Sequence, residues 1–152
     1  MFTFKQCETS ALPGLFRQTL SGISNEFTRS KFTESQRNSD KTFWGELTTE
    51  QQDLLWDHFN KSLAPVYSAG KLGMCHFLFK PTKGVVLFQF PQNFQPIPDN
   101  FDFILYCREM LQSDYKMCIE FRDLSWLKGE SMATILELCT EHNVTQIQND
   151  FF

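Results

Sequence analysis

The stretch VVLFQFPQNFQPIPDNFDFILYCREMLQSDYKMCIEF, Val85–Phe121, contains two short apolar runs rich in β-branched and aromatic residues. Between them lies a segment with helical spacing. Runs such as VVLFQF and MCIEF suit buried strands. The middle, PDNFDFILYCREMLQS, places Phe101, Ile104, Leu105 and Leu111 on one face, with Asp99 or Asn100 as the expected N-cap. A strand, a helix and a second strand within this length make one βαβ unit.

The same alternation extends in both directions. Upstream, TTEQQDLLWDHFNKSLAPVYSAG reads as a helix. Thr48 and Gln51 form a candidate capping box, and Leu55, Phe59, Leu63 and Val66 share a face. Pro65 is expected to bend or end it, with Gly70 just beyond. Downstream, ESMATILELCTEHN reads as a helix with Ser131 as N-cap and Met132, Ile135, Leu136 and Cys139 facing inward. Asn143 is its expected stop, and VTQIQND follows as a short strand. Helix, strand, helix, strand, helix, strand predicts a parallel sheet with packed helices. Two architectures fit, an open doubly wound sheet and a TIM barrel. The chain has neither G-x-G-x-x-G nor G-x-x-x-x-G-K-[ST], which weakens the nucleotide-binding forms of the open sheet.

Strand parity locates the candidate site. Met117, Ile119 and Phe121 oppose Cys118, Glu120 and Arg122; Val86, Phe88 and Phe90 oppose Val85, Leu87 and Gln89. In VTQIQND, Gln146, Gln148 and Asp150 oppose Thr145, Ile147 and Asn149. Each strand has a more apolar face, and its other face becomes polar toward the C-terminal end. That is where a TIM barrel builds its site. Gln89, Glu120, Arg122, Gln148 and Asp150 are expected there. The competing reading is an internal network of charge and amide groups that closes the barrel top, because a buried Glu beside an Arg is costly unless paired.

Composition narrows the class. The 152 residues carry a net charge of −4, with 41% hydrophobic and 21% charged residues, which indicates one globular domain without the basic footprint of a general nucleic-acid binder. Cys7, Cys75, Cys107, Cys118 and Cys139 are odd in number and form no C-x-x-C pair, so free thiols in a reducing compartment are expected. No run is long enough to span a membrane, and the first residues lack a signal-peptide core, so a cytoplasmic location is the expectation. Residues 6–45, rich in Ser, Thr and Asn, read as an irregular or mobile segment, within which Pro13 suits the first turn of a short helix over LPGLFRQTL. His58, His76 and His142 lack ligand spacing and define no metal site; His142 is expected to interact with a helix C-terminus. No Ser-His-Asp or Cys-His arrangement is visible.

The run CIEFRDLSWL, with LFQFP upstream and AGKLG before it, resembles the YecE-like family, domain of unknown function 72. The matching positions are Leu72, Gly73, Leu87, Gln89, Pro91 and Phe94, then Glu120, Arg122, Ser125 and Trp126, then Asp150. FTFK at the start is similar to the family's Phe-x-Phe strand that runs into a lysine. The resemblance implies an α/β fold of the TIM (β/α)8 type, with about four of eight strands present. It makes residues 1–152 a single incomplete domain, an internal fragment that begins inside one strand and stops at NDFF. Missing barrel parts then favour self-association. Glu120, Arg122 and Asp150 become candidate catalytic residues, and Gln89, Pro91, Ser125, Trp126 and Gln148 candidate ligand contacts. Arg122 suits a phosphate or carboxylate, and Trp126 either stacks on a ligand or anchors a loop.

Two functional readings stay open: a hydrolase of phosphoesters or nucleic acid in the full-length form, or a truncated non-catalytic remnant or binding module. The cofactor is left unknown by the sequence, with Glu120 and Asp150 as candidates for a divalent-metal or general acid/base site at the barrel mouth. Removing Met74–Gly84 joins KLG to VVLFQFP and restores a family-like strand, so residues 74–84 are expected to be an insertion, a retained intron or mis-assigned exon, ahead of one strand rather than half of a hairpin.

Overall fold

The computed structural model describes residues 2–5, 14–16, 30–39, 41–69 and 85–147. Residues 74–84, expected to be an insertion, and Gln148 and Asp150 lie outside the described residues. The elements run β1 (Phe2–Lys5), β2 (Gly14–Phe16), α1 (Glu34–Asn38), β3 (Lys41–Phe43), α2 (Thr49–Ala69), β4 (Val85–Phe90), α3 (Pro98–Met110), β5 (Lys116–Phe121), α4 (Gly129–Glu141) and β6 (Val144–Ile147). Short 3-10 turns span Trp44–Glu46 and Leu124–Leu127.

The fold is α/β. A four-stranded parallel sheet has the order β1-β4-β5-β6, while β2 and β3 pair antiparallel as a separate ribbon. Strands and helices alternate from α2 onward, as the βαβ pattern predicts. One sheet face carries Val86, Phe88, Phe90, Met117, Ile119, Phe121 and Val144 into a single buried cluster. Trp44, Leu55, Trp56, Leu63, Ile104, Cys107, Ile135 and Leu138 complete it from the turns and helices. Burying this much aromatic and aliphatic surface is the main stabilising contribution. The centre is Trp56. Its ring meets Trp44 at 6.3 Å and Phe59 at 5.7 Å edge-on, and tilts against Phe88 at 6.3 Å.

Several local readings change. Gly14–Phe16 is a strand, where a short helix over residues 12–20 was expected. The span read as irregular holds α1 and β3 as well. Helix α1 is capped by Thr33, which receives the Gln36 N–H at 3.2 Å while the Gln36 side chain accepts the Thr33 N–H at 2.9 Å.

Helix α2 starts with the expected box. Thr48 N–H donates to Gln51 Oε1 at 3.0 Å and Gln51 N–H to Thr48 Oγ1 at 3.3 Å. The two boxes are joined: the amides of Gln36 and Gln51 donate to each other at 3.2 and 3.1 Å, and Gln51 Nε2 also donates to the Lys31 carbonyl at 2.8 Å. Gln51, 6% exposed, thereby welds the start of α2 to the segment before it.

Pro65 does not end α2, which continues to Ala69. Proline costs a helix one N–H bond and a clash with the preceding turn. The exposed position of Pro65, one turn from the end, leaves little downstream helix for that cost to undo. The buried face is Leu55, Trp56 and Leu63, with Phe59 partly covered; the side chain of Val66 lies outside the described residues. Asn60 ties α2 to the turn after α3. Its Nδ2 donates to the Met110 carbonyl at 2.9 Å, and its Oδ1 accepts the Gln112 N–H at 3.1 Å.

Helix α3 begins at Pro98, with Ile97 as an N-cap that makes no side-chain bond, in place of Asp99 or Asn100. Pro at the first position sacrifices only an N–H that has no helical partner. Asn100 instead turns back, its Nδ2 donating to the Gln95 carbonyl at 2.7 Å. Helix α4 begins at Gly129, with Lys128 rather than Ser131 at the cap. Gly129 has φ 55°, a left-handed conformation that glycine adopts without steric cost. The buried stripe is Ile135, Leu138 and Cys139; Met132 and Leu136, expected inward, are 37% and 46% exposed. Asn143 ends the helix at φ 52°, as predicted.

Cys107, Cys118 and Cys139 are free and buried. Burial pushes the Cys139 thiol from its ordinary 9.0 up to about 11, with Cys118 adding to the shift. An acid whose folded pKa is raised supports the fold below its unfolded pKa. That support is lost as pH climbs from about 9 toward 11, where the unfolded thiol ionises and the folded one resists.

Two outcomes follow for the fold. Gln51→Leu removes both the box and the amide pair and costs about 2 kcal/mol in urea unfolding. At pH 8, peptide mapping after iodoacetamide shows Cys139 alkylated only on unfolding, since roughly one thiol in a thousand is then ionised at a pKa near 11.

Candidate functional site

The site grows from the register between β4 and β5. Val86 pairs with Met117, Phe88 with Ile119 and Phe90 with Phe121 on the helix-packed face. The intervening positions, Leu87 beside Cys118 and Gln89 beside Glu120, therefore share the opposite face. Leu87 and Cys118 are 2% and 4% exposed and stand outside the helix-side cluster, so they form a closed apolar floor. Burial raises the Cys118 pKa, with a hydrogen bond to Thr145 opposing it.

One residue further along, the face turns polar. Glu120 is 6% exposed, and its Oε1 accepts a hydrogen bond from Gln89 Nε2 at 2.7 Å. Gln89 Oε1 in turn accepts from an Arg122 guanidinium nitrogen at 3.3 Å. Arg122 donates only, so its approach fixes the carbonyl end of the amide and aims the NH2 at Glu120. The result is a relay, exposed guanidinium to amide to buried carboxylate, at the C-terminal ends of adjacent parallel strands.

The sequence placed these three groups on one rim; it did not show Gln89 as the link between the two charges. In register, Glu120 is followed on β6 by Ile147 and Ile119 by Gln146. Gln146 thus lies on the helix side of the sheet, with its Nε2 buried and without a hydrogen-bond partner among the described residues.

The loops that follow the strands support the rim from behind. The Arg122 N–H donates to the Phe90 carbonyl at 3.1 Å, carrying the ladder one residue past β5. Pro91 is buried, and its carbonyl accepts the Phe94 N–H at 3.0 Å. Phe94 then stacks on Phe90 at 4.3 Å and 16°. From the β5 side, Trp126 lies on Phe121 at 4.2 Å and 3°, and against Phe94 at 5.6 Å and 12°. Its indole N–H donates to the Phe94 carbonyl, and the residue is 0% exposed. Of the two roles open to Trp126, the geometry shows the loop anchor.

Ser125 N–H is held by Asp123 Oδ1 at 2.8 Å, while the Ser125 hydroxyl is buried without a partner among the described residues. Asp123, which opens this 3-10 turn, was not singled out from sequence. An Asp two residues before a Ser is the signature of an Asx-type turn and could have indicated it.

Among the described residues, no group of three or more His, Cys, Asp or Glu side chains could hold a metal ion. His142 caps α4 through its backbone, donating to the Leu138 carbonyl at 3.0 Å. No helix among the described residues is long and apolar enough to cross a membrane.

A parallel α/β sheet with a charge-and-amide relay at its strand ends defines the class. The particular family follows from comparison: the model described as protein of unknown function DUF72 matches residues 26–150, and the chain belongs to that family. No curated protein and no solved structure matches.

Trp126→Phe keeps the stack and deletes the indole N–H. Leaving the Phe94 carbonyl without this donor lowers stability by about 1–3 kcal/mol in urea unfolding. Trp126→Ala, which opens a cavity beneath both loops, costs about 3–5 kcal/mol.

Proposed function

We propose that this protein binds and hydrolyses a phosphoester at the strand ends of a TIM-type barrel, with Arg122, Gln89 and Glu120 at the centre. The observation that carries the reading is the Gln89 amide joining an exposed guanidinium to a buried carboxylate. Support for the barrel comes from topology. The parallel strands follow one another in one direction, β1-β4-β5-β6, and the buried helix residues pack on one face. A doubly wound sheet reverses its order at a switch point and carries helices on both faces.

In this reading Arg122 neutralises phosphoryl oxygens with its fork of donors. Glu120 takes a proton from an attacking water as the new O–P bond forms. The P–O bond to the leaving group then breaks, and the departing oxygen takes that proton from Glu120. Gln148 and Asp150 share the strand parity of Gln146, which the register turns to the helix side, so the reading rests on Arg122, Gln89 and Glu120 alone. Pro91, Ser125 and Trp126 hold the loops behind the rim in place. The net charge of −4 favours small esters over long nucleic acids.

A binding module without catalysis is the second reading, favoured by the 6% exposure of Glu120 and its bond to Gln89. A panel of phosphomonoesters and short oligonucleotides, with and without divalent metals, separates the two. The catalytic reading expects Glu120→Gln to lower turnover by about 100-fold or more while binding persists. Arg122→Ala weakens binding by roughly tenfold. Unchanged turnover in both variants rejects the site; saturable binding with no turnover selects the module.

A further inference from the structure

The row of side chains that carries the relay continues past Arg122. Along β5, Cys118 and Glu120 share the face opposite the helices. The Arg122 N–H extends the ladder to the Phe90 carbonyl, and Asp123 is extended, with φ −89° and ψ 120°. Extended backbone preserves the alternation of side chains. Leu124 therefore follows Arg122 on the same face, about 7 Å further along. The row runs from a buried thiol through a carboxylate and a cation to an apolar side chain. Leu124 is 47% exposed, although it opens the 3-10 turn in which Trp126 is 0% exposed. The turn is fixed by Asp123 Oδ1, which accepts the Ser125 N–H at 2.8 Å, and by the Trp126 indole N–H, which donates to the Phe94 carbonyl. The contacts that hold the loop thus hold Leu124 out to solvent.

We infer that Leu124 sets ligand specificity at the rim, selecting phosphomonoesters whose substituent is apolar and large enough to cover it. This rests on the phosphoester reading and names its substrate class. A phosphoryl group held by Arg122 brings its substituent within reach of Leu124, the next side chain of the row. Beneath the relay the floor is closed, since Leu87 and Cys118 are 2% and 4% exposed. The substituent is thereby directed along the rim rather than into the sheet. An aryl or alkyl group laid on Leu124 takes apolar surface of both out of water, with a gain roughly proportional to the area covered. A hydroxylated or charged substituent gains little there and gives up hydration. A single exposed leucine is ordinary on a protein surface. Leu124 differs in being held by a braced turn beside the cation of the relay, so the contact requires no further ordering of the loop.

Calorimetric titration of the 152-residue chain with methyl phosphate and phenyl phosphate at about pH 8 tests this. The two probes carry the same phosphoryl group and differ in the substituent. The wild type is expected to bind phenyl phosphate about tenfold more tightly, the scale set by covering part of one ring. Leu124→Ser lowers phenyl phosphate affinity far more than methyl phosphate affinity and brings the ratio below about threefold. Leu124→Met, which keeps an apolar side chain, retains the ratio. Leu136→Ser removes a leucine of similar exposure, 46%, from α4 and leaves the ratio unchanged. If Leu124→Ser keeps the ratio or weakens both probes alike, the inference fails and the phosphoester reading stands. An equal fall of the ratio in Leu136→Ser, or equal affinity of the wild type for both probes, has the same meaning. Binding of neither probe overturns both.

Discussion

Every property of the rim depends on the register that sets Gln89 beside Glu120. Strand side chains alternate, so a slip of one residue between β4 and β5 would place Phe88 or Phe90 next to the carboxylate and turn Gln89 into the core. What prevents the slip is the other face. Val86 with Met117, Phe88 with Ile119 and Phe90 with Phe121 are buried pairs, and exposing them would cost far more than a hydrogen bond at the rim returns. The apolar side of the sheet therefore dictates the polar side, and the chemistry of the rim is inherited from packing on the far face.

The aromatic residues organise this packing in two groups. Near the helices, Trp44, Trp56, Phe59 and Tyr106 meet edge-on or tilted, which suits elements that cross at an angle. Beneath the loops, Phe90, Phe94, Phe121 and Trp126 lie nearly parallel, which suits segments leaving neighbouring parallel strands in the same direction. The first group secures α2 and α3 against the sheet. The second carries the rigidity of the core into the loops that flank Glu120 and Arg122.

Much of this was legible in the sequence, and the misses have physical causes. VVLFQF and MCIEF announced buried strands because few other structures accept such runs, and the Thr48–Gln51 box and the Asn143 stop are local signals with local meaning. Helix phase was harder. In MATILELC the stripe Met132–Leu136 is as apolar as Ile135–Leu138–Cys139, and only the sheet selects the second. The N-caps of α3 and α4 were misplaced because both helices open on residues without a capping side chain, where Pro98 and Gly129 act through backbone geometry. The relay itself was out of reach: parity assigns a residue to a face, but the contact between Gln89 and Glu120 exists only once two distant strands are aligned.

The different surroundings of the three tryptophans give the molecule two internal optical reporters. Trp44 and Trp56 lie within one ring contact of each other beside Tyr106, while Trp126 lies under the rim loops against Phe121 and Phe94. Light absorbed at the two places samples different motions. The pair chiefly follows the seating of α2 on the sheet, and the single indole the loops around the relay, with Phe103 bridging the two groups between Tyr106 and Phe94. A disturbance confined to the rim thus leaves a spectral trace distinct from the loss of the fold.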